Sequence, residues 1–348
     1  MTNNSSWIPP FSSHSNSEGM AVMIKLLPIA VAIILTNGLV FFLFYKQKSL
    51  RTPSNTLLLG LAVCDFLTGA VNIPYFIIFS FEVVPTTSPM YGRFADGVFV
   101  LHTLLAVTIG HHILAITAEK YLAIIYPFRH NFVTKKTALI VQLGIWVLGG
   151  FIATIPLAWR WTAQELLWEV VHSAACLAIV FFFPTVFMAY AYTLMFKVVR
   201  EGKRPVSMQN TGTKTTQTST DRKCIFIFAI MSVIYLCCWC PYFIIMLLIK
   251  IAYYIQSNTM LNSTVFDTVA ETVAITRYIT SVINPILYTL FKRDFWLVLR
   301  SIFGSTTNTR NTELREADIE VSGISSLKPE GYKNAQADKN NIADVSSV

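Results

Sequence analysis

The sequence predicts an all-α integral membrane protein: a seven-transmembrane helix bundle with a short amphipathic helix after the last span. Three observations carry this. Of 348 residues, 54% are hydrophobic and 13% charged, with a mean hydropathy of +0.54, whereas a soluble domain carries about 25% charged residues. Seven stretches are long and apolar enough to cross a bilayer. The basic residues between them fall almost entirely on one side. So little charge cannot cover a soluble fold of this length, which excludes a cytosolic enzyme and disorder over most of the chain. The net charge of +8 then reflects membrane topology, and no nucleic-acid partner is expected.

A membrane helix needs about 20 mostly apolar residues. The spans are expected at 21–45, 55–80, 97–121, 137–157, 174–196, 224–252 and 269–291. The third is the least apolar, carrying His102, His111 and His112. The first 20 residues hold no Lys or Arg, so no signal-peptide n-region is expected and the first span serves as its own insertion signal. Segments 46–54, 122–136, 197–223 and 292–303 hold 16 Lys and Arg, against 2 in 1–20, 81–96, 158–173 and 253–268. That asymmetry puts the N-terminus outside and the C-terminus in the cytoplasm. Asn3, Asn4 and Asn262 open glycosylation triplets, all on the outer side.

The expected organisation is an extracellular segment 1–20, the bundle 21–291, the amphipathic helix 292–304 and a disordered cytoplasmic tail 305–348. The inner connection 197–223 is Thr/Ser/Gln-rich and builds no core. Cys64, Cys176, Cys224, Cys237, Cys238 and Cys240 all lie in or beside apolar runs, the pattern of buried free thiols and not of a disulfide framework. The Cys-Cys-Trp-Cys run lacks the second Cys/His pair a zinc site needs, so no metal and no cofactor are expected. The chain shows no phosphate loop, Ser-His-Asp arrangement or dinucleotide fingerprint, and no enzymatic chemistry is predicted.

Polar groups inside spans are expensive and mark function or tight packing. Asn37, Asp65 and Asn284 sit in three spans and are expected to face one another, as a packing clasp or as a relay or ion site. Helix phase sorts the rest. Eighteen residues make five whole turns and rise about 27 Å. His102 and Lys120 share one stripe by this spacing, as do Asp221 and Trp239. Arg277, Ser281, Asn284 and Tyr288 share another in the seventh span. Pro184, Pro241 and Pro285 interrupt the backbone ladder of spans five, six and seven and create places to bend.

These residues, in this order, resemble the rhodopsin-like (class A) family of G-protein-coupled receptors over about residues 20–300. Asn37 fits the first-span asparagine, and Leu61-Ala62-Val63-Cys64-Asp65 the second-span motif. Trp146 fits the fourth-span tryptophan, and Pro184 with Tyr192 the fifth-span pair. Cys238-Trp239-Cys240-Pro241 and Asn284-Pro285-Ile286-Leu287-Tyr288 follow, then Phe295 of the inner-surface helix. Three departures stand out. The family's Asp-Arg-Tyr is Glu119-Lys120-Tyr121 here, which keeps the charge but loses the bidentate guanidinium. The third-span cysteine of the family's outer disulfide is matched by Ala95. Ile109 occupies a polar position of the family's sodium site, although Asp65 and Ser281 fit it.

The resemblance implies a receptor that binds an extracellular small molecule and activates a heterotrimeric G protein when the inner end of span six swings outward at Pro241. Trp239 senses the pocket while Tyr192 and Tyr288 rearrange. The expected pocket is His102, Cys176, Trp239, Tyr242, Phe243, Met246, Arg277 and Tyr278. Amine receptors of the family have an Asp where His102 stands, and light receptors a Lys where Tyr278 stands, so neither ligand follows. His102 serves as an interior histidine or a ligand contact. Arg277 serves as a ligand anchor or as a structural partner of Glu271 or a backbone carbonyl. At the inner surface, Lys120 is expected to pair with Asp221, with Glu119 as competitor. Ser322, Ser325 and Ser326 are candidate phosphorylation sites for arrestin recruitment, and Ser346-Ser347-Val348 resembles a ligand of PDZ domains. The rival readings are a membrane transporter and a light sensor with a non-covalent chromophore.

Overall fold

A computed structural model describes residues 16–81, 88–160, 162–201, 214–257 and 264–303. Asn3, Asn4, Asn262, the tail serines and Val348 lie outside these, and Asp221 is described for its backbone alone. Every regular element among the described residues is helical. Helix α1 is Asn16–Lys46, α2 is Pro53–Ser80 and α3 is Pro89–Ile125. They are followed by α4, Lys135–Thr154, α5, Glu165–Glu201, and α6, Lys214–Tyr254. Helix α7 comprises Thr264–Thr276 and Ile279–Phe291, and α8 is Arg293–Phe303.

The helix starts are written locally. The Thr52 hydroxyl accepts from the Asn55 amide ahead of Pro53, and Ser88 does the same for Met90 ahead of Pro89. Thr134 and Thr137 cap α4 reciprocally. Each satisfies amides that the first turn leaves without partners, and proline at N1 loses nothing there. Helix α6 stops where Gln256 takes a left-handed φ of 54° and the Ser257 N–H closes onto the Ala252 carbonyl at 2.9 Å, a Schellman-type end.

Helix α3 runs through the middle of the unit 1–296, in contact with α2, α4, α5 and α6, while α1 packs on α2 and α7, and α6 on α5 and α7. The unit 297–348 is described only as the continuation of α8 to Phe303. Large apolar side chains such as Leu35, Phe151 and Phe183 are exposed, while Asn37, Asp65, Thr117 and Asn284 are wholly buried. A soluble protein has the opposite arrangement. An apolar solvent around polar interior contacts is the condition of a membrane bundle.

Three expectations need correction. Among the described residues six helices are long and apolar enough to span a membrane, but the seventh is not one continuous helix: it breaks at Arg277 and Tyr278. Side chains replace the lost ladder bonds there. The Arg277 Nε–H donates to the Ala274 carbonyl at 2.9 Å, and the Thr280 hydroxyl donates to the Arg277 carbonyl at 2.8 Å. Second, α5 begins at Glu165, so much of the expected outer connection 158–173 is helix. Third, the thiols are not uniformly buried. Cys64 and Cys238 are, but Cys237 is exposed, because adjacent helical residues point about 100° apart.

Two π-helical turns matter for the site. Thr68–Asn72 precedes Pro74, and Cys176–Phe182 precedes Pro184. Proline has no N–H to give, so the turn before it widens by one residue, a device frequent at functional sites. The second of these turns starts at Cys176, a cavity-lining residue.

Candidate functional site

At the break in α7, the Arg277 side chain is 3% exposed and folds over aromatic rings. Its guanidinium carbon lies 4.0 Å from the Tyr242 ring centroid, 4.7 Å from Tyr278 and 5.9 Å from Trp239. Its Nη2 donates to the Tyr278 hydroxyl at 2.9 Å, which in turn lies 3.1 Å from His102 Nε2. Arg277 Nη1 and His102 Nδ1 are buried without a partner. Among the described residues no carboxylate pairs with Arg277. Glu271, the acidic partner considered from the sequence, instead holds Lys25 of α1 at 2.5 Å. The backbone alternative is met by the Ala274 carbonyl. The Trp239 indole N–H donates to Thr280 Oγ1 at 3.2 Å, the same hydroxyl that bonds the Arg277 carbonyl.

Beside this cluster lies a cavity of about 50 Å³ lined by Phe99, Thr103, His172, Ser173, Cys176, Tyr242, Phe243, Met246 and Lys250. Four of the eight sequence-derived pocket residues line it: Cys176, Tyr242, Phe243 and Met246. The other four, His102, Trp239, Arg277 and Tyr278, form the cluster. Tyr242 belongs to both.

Sequence reasoning missed the charges at this end. Lys250 Nζ meets Glu169 Oε2 at 2.5 Å, the side chains 2% and 6% exposed, and the ammonium lies 4.6 Å from the Phe99 ring centroid. A lone cation in the run Ile244–Ile251 is the signal that could have found Lys250; Glu169 was hidden by reading 158–173 as a loop. Nearby, Arg160 Nε lies 2.9 Å from Asp96 Oδ1, and Arg160 also pairs with Glu165. Asp96 adjoins Ala95, so charge ties the start of α5 to α3 at the place where the resemblance implies a disulfide.

In the bundle centre, the Asn284 amide donates to Asp65 Oδ2 at 3.3 Å, and the Asn37 amide to the Ser281 carbonyl at 3.0 Å. Asp65 thus reaches the Asn284 side chain, whereas Asn37 reaches α7 through the Ser281 backbone carbonyl. Ile109 is fully buried on α3, and His112 Nδ1–H donates to the Thr108 carbonyl, 2.8 Å away.

At the inner end, the Tyr192 hydroxyl joins Thr117 of α3 at 2.9 Å and Ser232 of α6 at 3.1 Å. Lys120 Nζ is held by Glu119 at 2.9 Å and donates to Ser54 Oγ of α2 at 2.6 Å, while Glu119 Oε1 lies 2.8 Å from His130 Nε2. The competitor named in the sequence reading thus occupies Lys120. Tyr121 packs among Tyr126, Phe187 and Tyr190. Tyr288 stacks edge-on with Phe295 at 5.4 Å, and Lys292, 2.7 Å from Asp294, also donates to Asn55. Burial pushes the Asp294 carboxyl up, but the Lys292 ammonium and the Asn55 amide outweigh it and hold it below the usual carboxylate range.

The bundle thus has polar contacts at its centre, a cation-aromatic cluster near one end and a tyrosine-linked set of helices at the other. Residues 36–288 match the 7 transmembrane receptor (rhodopsin family), and the chain belongs to that family of G-protein-coupled, multi-pass membrane receptors. It is a receptor family, not an enzyme family. Human melanopsin is 28% identical over 189 residues, covering 49% of this chain and 38% of melanopsin. The histamine H2 receptor of Cavia porcellus is 20% identical over 325 residues, covering 88% of this chain and 87% of the receptor. A tachykinin-like peptides receptor, 86C, of Drosophila melanogaster is 21% identical over 288 residues, covering 76% of this chain and 55% of its own. The chain spans about two-fifths of the length of the melanopsins it matches. One of these names gives histamine and another tachykinin-like peptides, so family membership by itself fixes no ligand.

Proposed function

We propose that this receptor binds an extracellular small molecule through an anionic or strongly hydrogen-bond-accepting group at Arg277. It then activates a heterotrimeric G protein by outward motion of the inner part of α6. The observation that carries the reading is a buried guanidinium with one donor unmet and no carboxylate partner among the described residues. An isolated buried charge is costly unless something pairs with it. The aromatic rings around Arg277 offset part of that cost, and a ligand anion supplies the rest. The orientation that fits the basic-residue asymmetry puts this end outside.

Transmission follows from contacts already described. Trp239 touches Arg277 and is bonded to Thr280 at the break in α7. Pro241, two residues on, lies inside α6 and removes the ladder bond that would resist bending. Tyr192 and Tyr288 sit where the inner ends of the helices must repack. The basic inner connections suit a G protein, and the tail serines and Val348 suit arrestin and a PDZ domain.

The test is Arg277→Gln, read by several G-protein reporters against a ligand panel weighted to anions and normalised to surface expression. A charged hydrogen bond is worth about 1.5–3 kcal/mol, so potency should fall roughly 10- to 100-fold with expression preserved. Collapse of expression makes Arg277 structural; unchanged potency removes it from the site.

A further inference from the structure

The hydrogen inventory of the Arg277–Tyr278–His102 relay has a direction. A guanidinium can only donate, so the Tyr278 oxygen accepts from Arg277 Nη2. The hydroxyl has one hydrogen left, and its other neighbour within bonding distance is His102 Nε2, 3.1 Å away. Nε2 accepts in the arrangement that uses this hydrogen, which leaves His102 a neutral imidazole with its proton on Nδ1. Nδ1 is buried without a partner, and so is Arg277 Nη1 at the other end. His102 is 8% exposed and Arg277 3%. Both open ends of the relay are therefore donors, and both adjoin one ring: Tyr242 lies 4.0 Å from the guanidinium carbon and 6.5 Å, centroid to centroid, from the imidazole.

We infer that His102 and Arg277 together select a small carboxylate with an apolar body, its two acceptor oxygens shared between His102 Nδ1–H and the free Arg277 Nη1–H. This rests on the receptor reading above and narrows its ligand class. A relay that ends in donors at both sides rejects an ammonium group, which also has only donors to offer. A primary amide offers the two donors a single acceptor oxygen and leaves the guanidinium charge unneutralised. A carboxylate satisfies both and neutralises the guanidinium. The apolar body is indicated by Tyr242, Phe243 and Met246, which line the adjoining cavity.

Two measurements on the full-length receptor in lipid nanodiscs test this. In receptor carrying ¹⁵N-histidine, with His102→Phe assigning the signal, His102 should read as the neutral Nδ1–H tautomer, and Tyr278→Phe should release it to a mixture. An imidazolium or an Nε2–H tautomer overturns the inference. Then acetate, butyrate and benzoate are compared with their amides and with butylamine and benzylamine, by His102 chemical shift and thermal shift. The carboxylates should shift the signal and raise the melting temperature; the amides and amines should not. Arg277→Gln and His102→Phe should each weaken carboxylate binding about tenfold. If Arg277→Gln weakens binding while His102→Phe leaves it intact, Arg277 remains the anchor and the two-donor selection fails. If no carboxylate has an effect, or amides act equally, the inference fails outright.

Discussion

Lys250 and Glu169 offer the sharpest stability test. Their charges meet at 2.5 Å with side chains 2% and 6% exposed, so neither has bulk water to fall back on. Lys250→Met keeps the length and the apolar body against Phe99 but strands the Glu169 carboxylate. Breaking a buried pair by removing one partner costs about 3–5 kcal/mol, whereas replacing both with apolar or neutral groups is often neutral or stabilising. Chains of 150–250 residues lose about 2–4 °C of melting temperature per kcal/mol, so Lys250→Met should lose roughly 6–20 °C. The double variant Lys250→Met/Glu169→Gln should recover at least half of that. Free thiols, Cys64 and Cys238 buried, let a thiol-reactive dye follow the melt in nanodiscs. A single variant within 2 °C of the parent, taken as about 1 kcal/mol or less, refutes the reasoning. So does a double variant no better than the worse single.

The remaining predictions are shorter. A Cβ at Gly60 would collide with Gln142 Nε2 and meet His112 Nε2 at 2.7 Å, whereas one at Gly144 meets nothing within 4 Å; Gly60→Ala should cost about 1–3 kcal/mol and lower the monodisperse yield, with Gly144→Ala neutral. Glu119→Gln should raise basal G-protein activation at least a few-fold by loosening Lys120 from α2, the paired side chains being only 13% and 5% exposed; Asp221→Lys tests the rival partner, and an unchanged basal level in both variants rules out a latch at Lys120. An epitope tag before Met20 should be labelled on intact cells and one after Val348 only after permeabilisation; the opposite pattern overturns the orientation.

Much of this fold was legible because a membrane imposes a simple grammar. Apolar length gave six helices outright, and Asn37, Asp65 and Asn284 announced a shared interior by being polar where polarity is costly. The seventh span shows where that grammar stops. Arg277 reads as a cation on a continuous stripe; that its side chain substitutes for ladder bonds, and so permits a break, depends on Ala274, Thr280 and Tyr242 standing around it in space. The charges at the start of α5 and in the turn before it were hidden for a related reason. Glu165, Glu169 and Arg160 look like a solvated loop until their partners, Lys250 and Asp96, arrive from other helices. Inner pairing was half legible: Glu119 was available to Lys120 from its place in the sequence, but the shared contact of both with Ser54 of α2, far away in sequence, was not.

If Arg277 is the ligand anchor proposed above, the break in α7 offers a route from it to the inner surface. A ligand moves a two-state equilibrium only by its differential affinity. One charged hydrogen bond of about 1.5–3 kcal/mol, if made in one state alone, shifts the population roughly 10- to 100-fold. That is enough to matter if the anchor is mechanically joined to the moving parts. Here it is joined twice. The guanidinium rests on the Tyr242 and Trp239 rings of α6, and the Arg277 carbonyl is bonded through Thr280 to the Trp239 indole. An anion that draws the guanidinium off those rings acts on α6 at both sides of Pro241 and on the break at once. Below the break, Ile279–Phe291 is a single helix carrying Ser281 against Asn37, Asn284 against Asp65 and Tyr288 against Phe295. A rotation at 277–278 therefore reaches all three contacts together, whereas an unbroken α7 would have to bend its ladder to do the same.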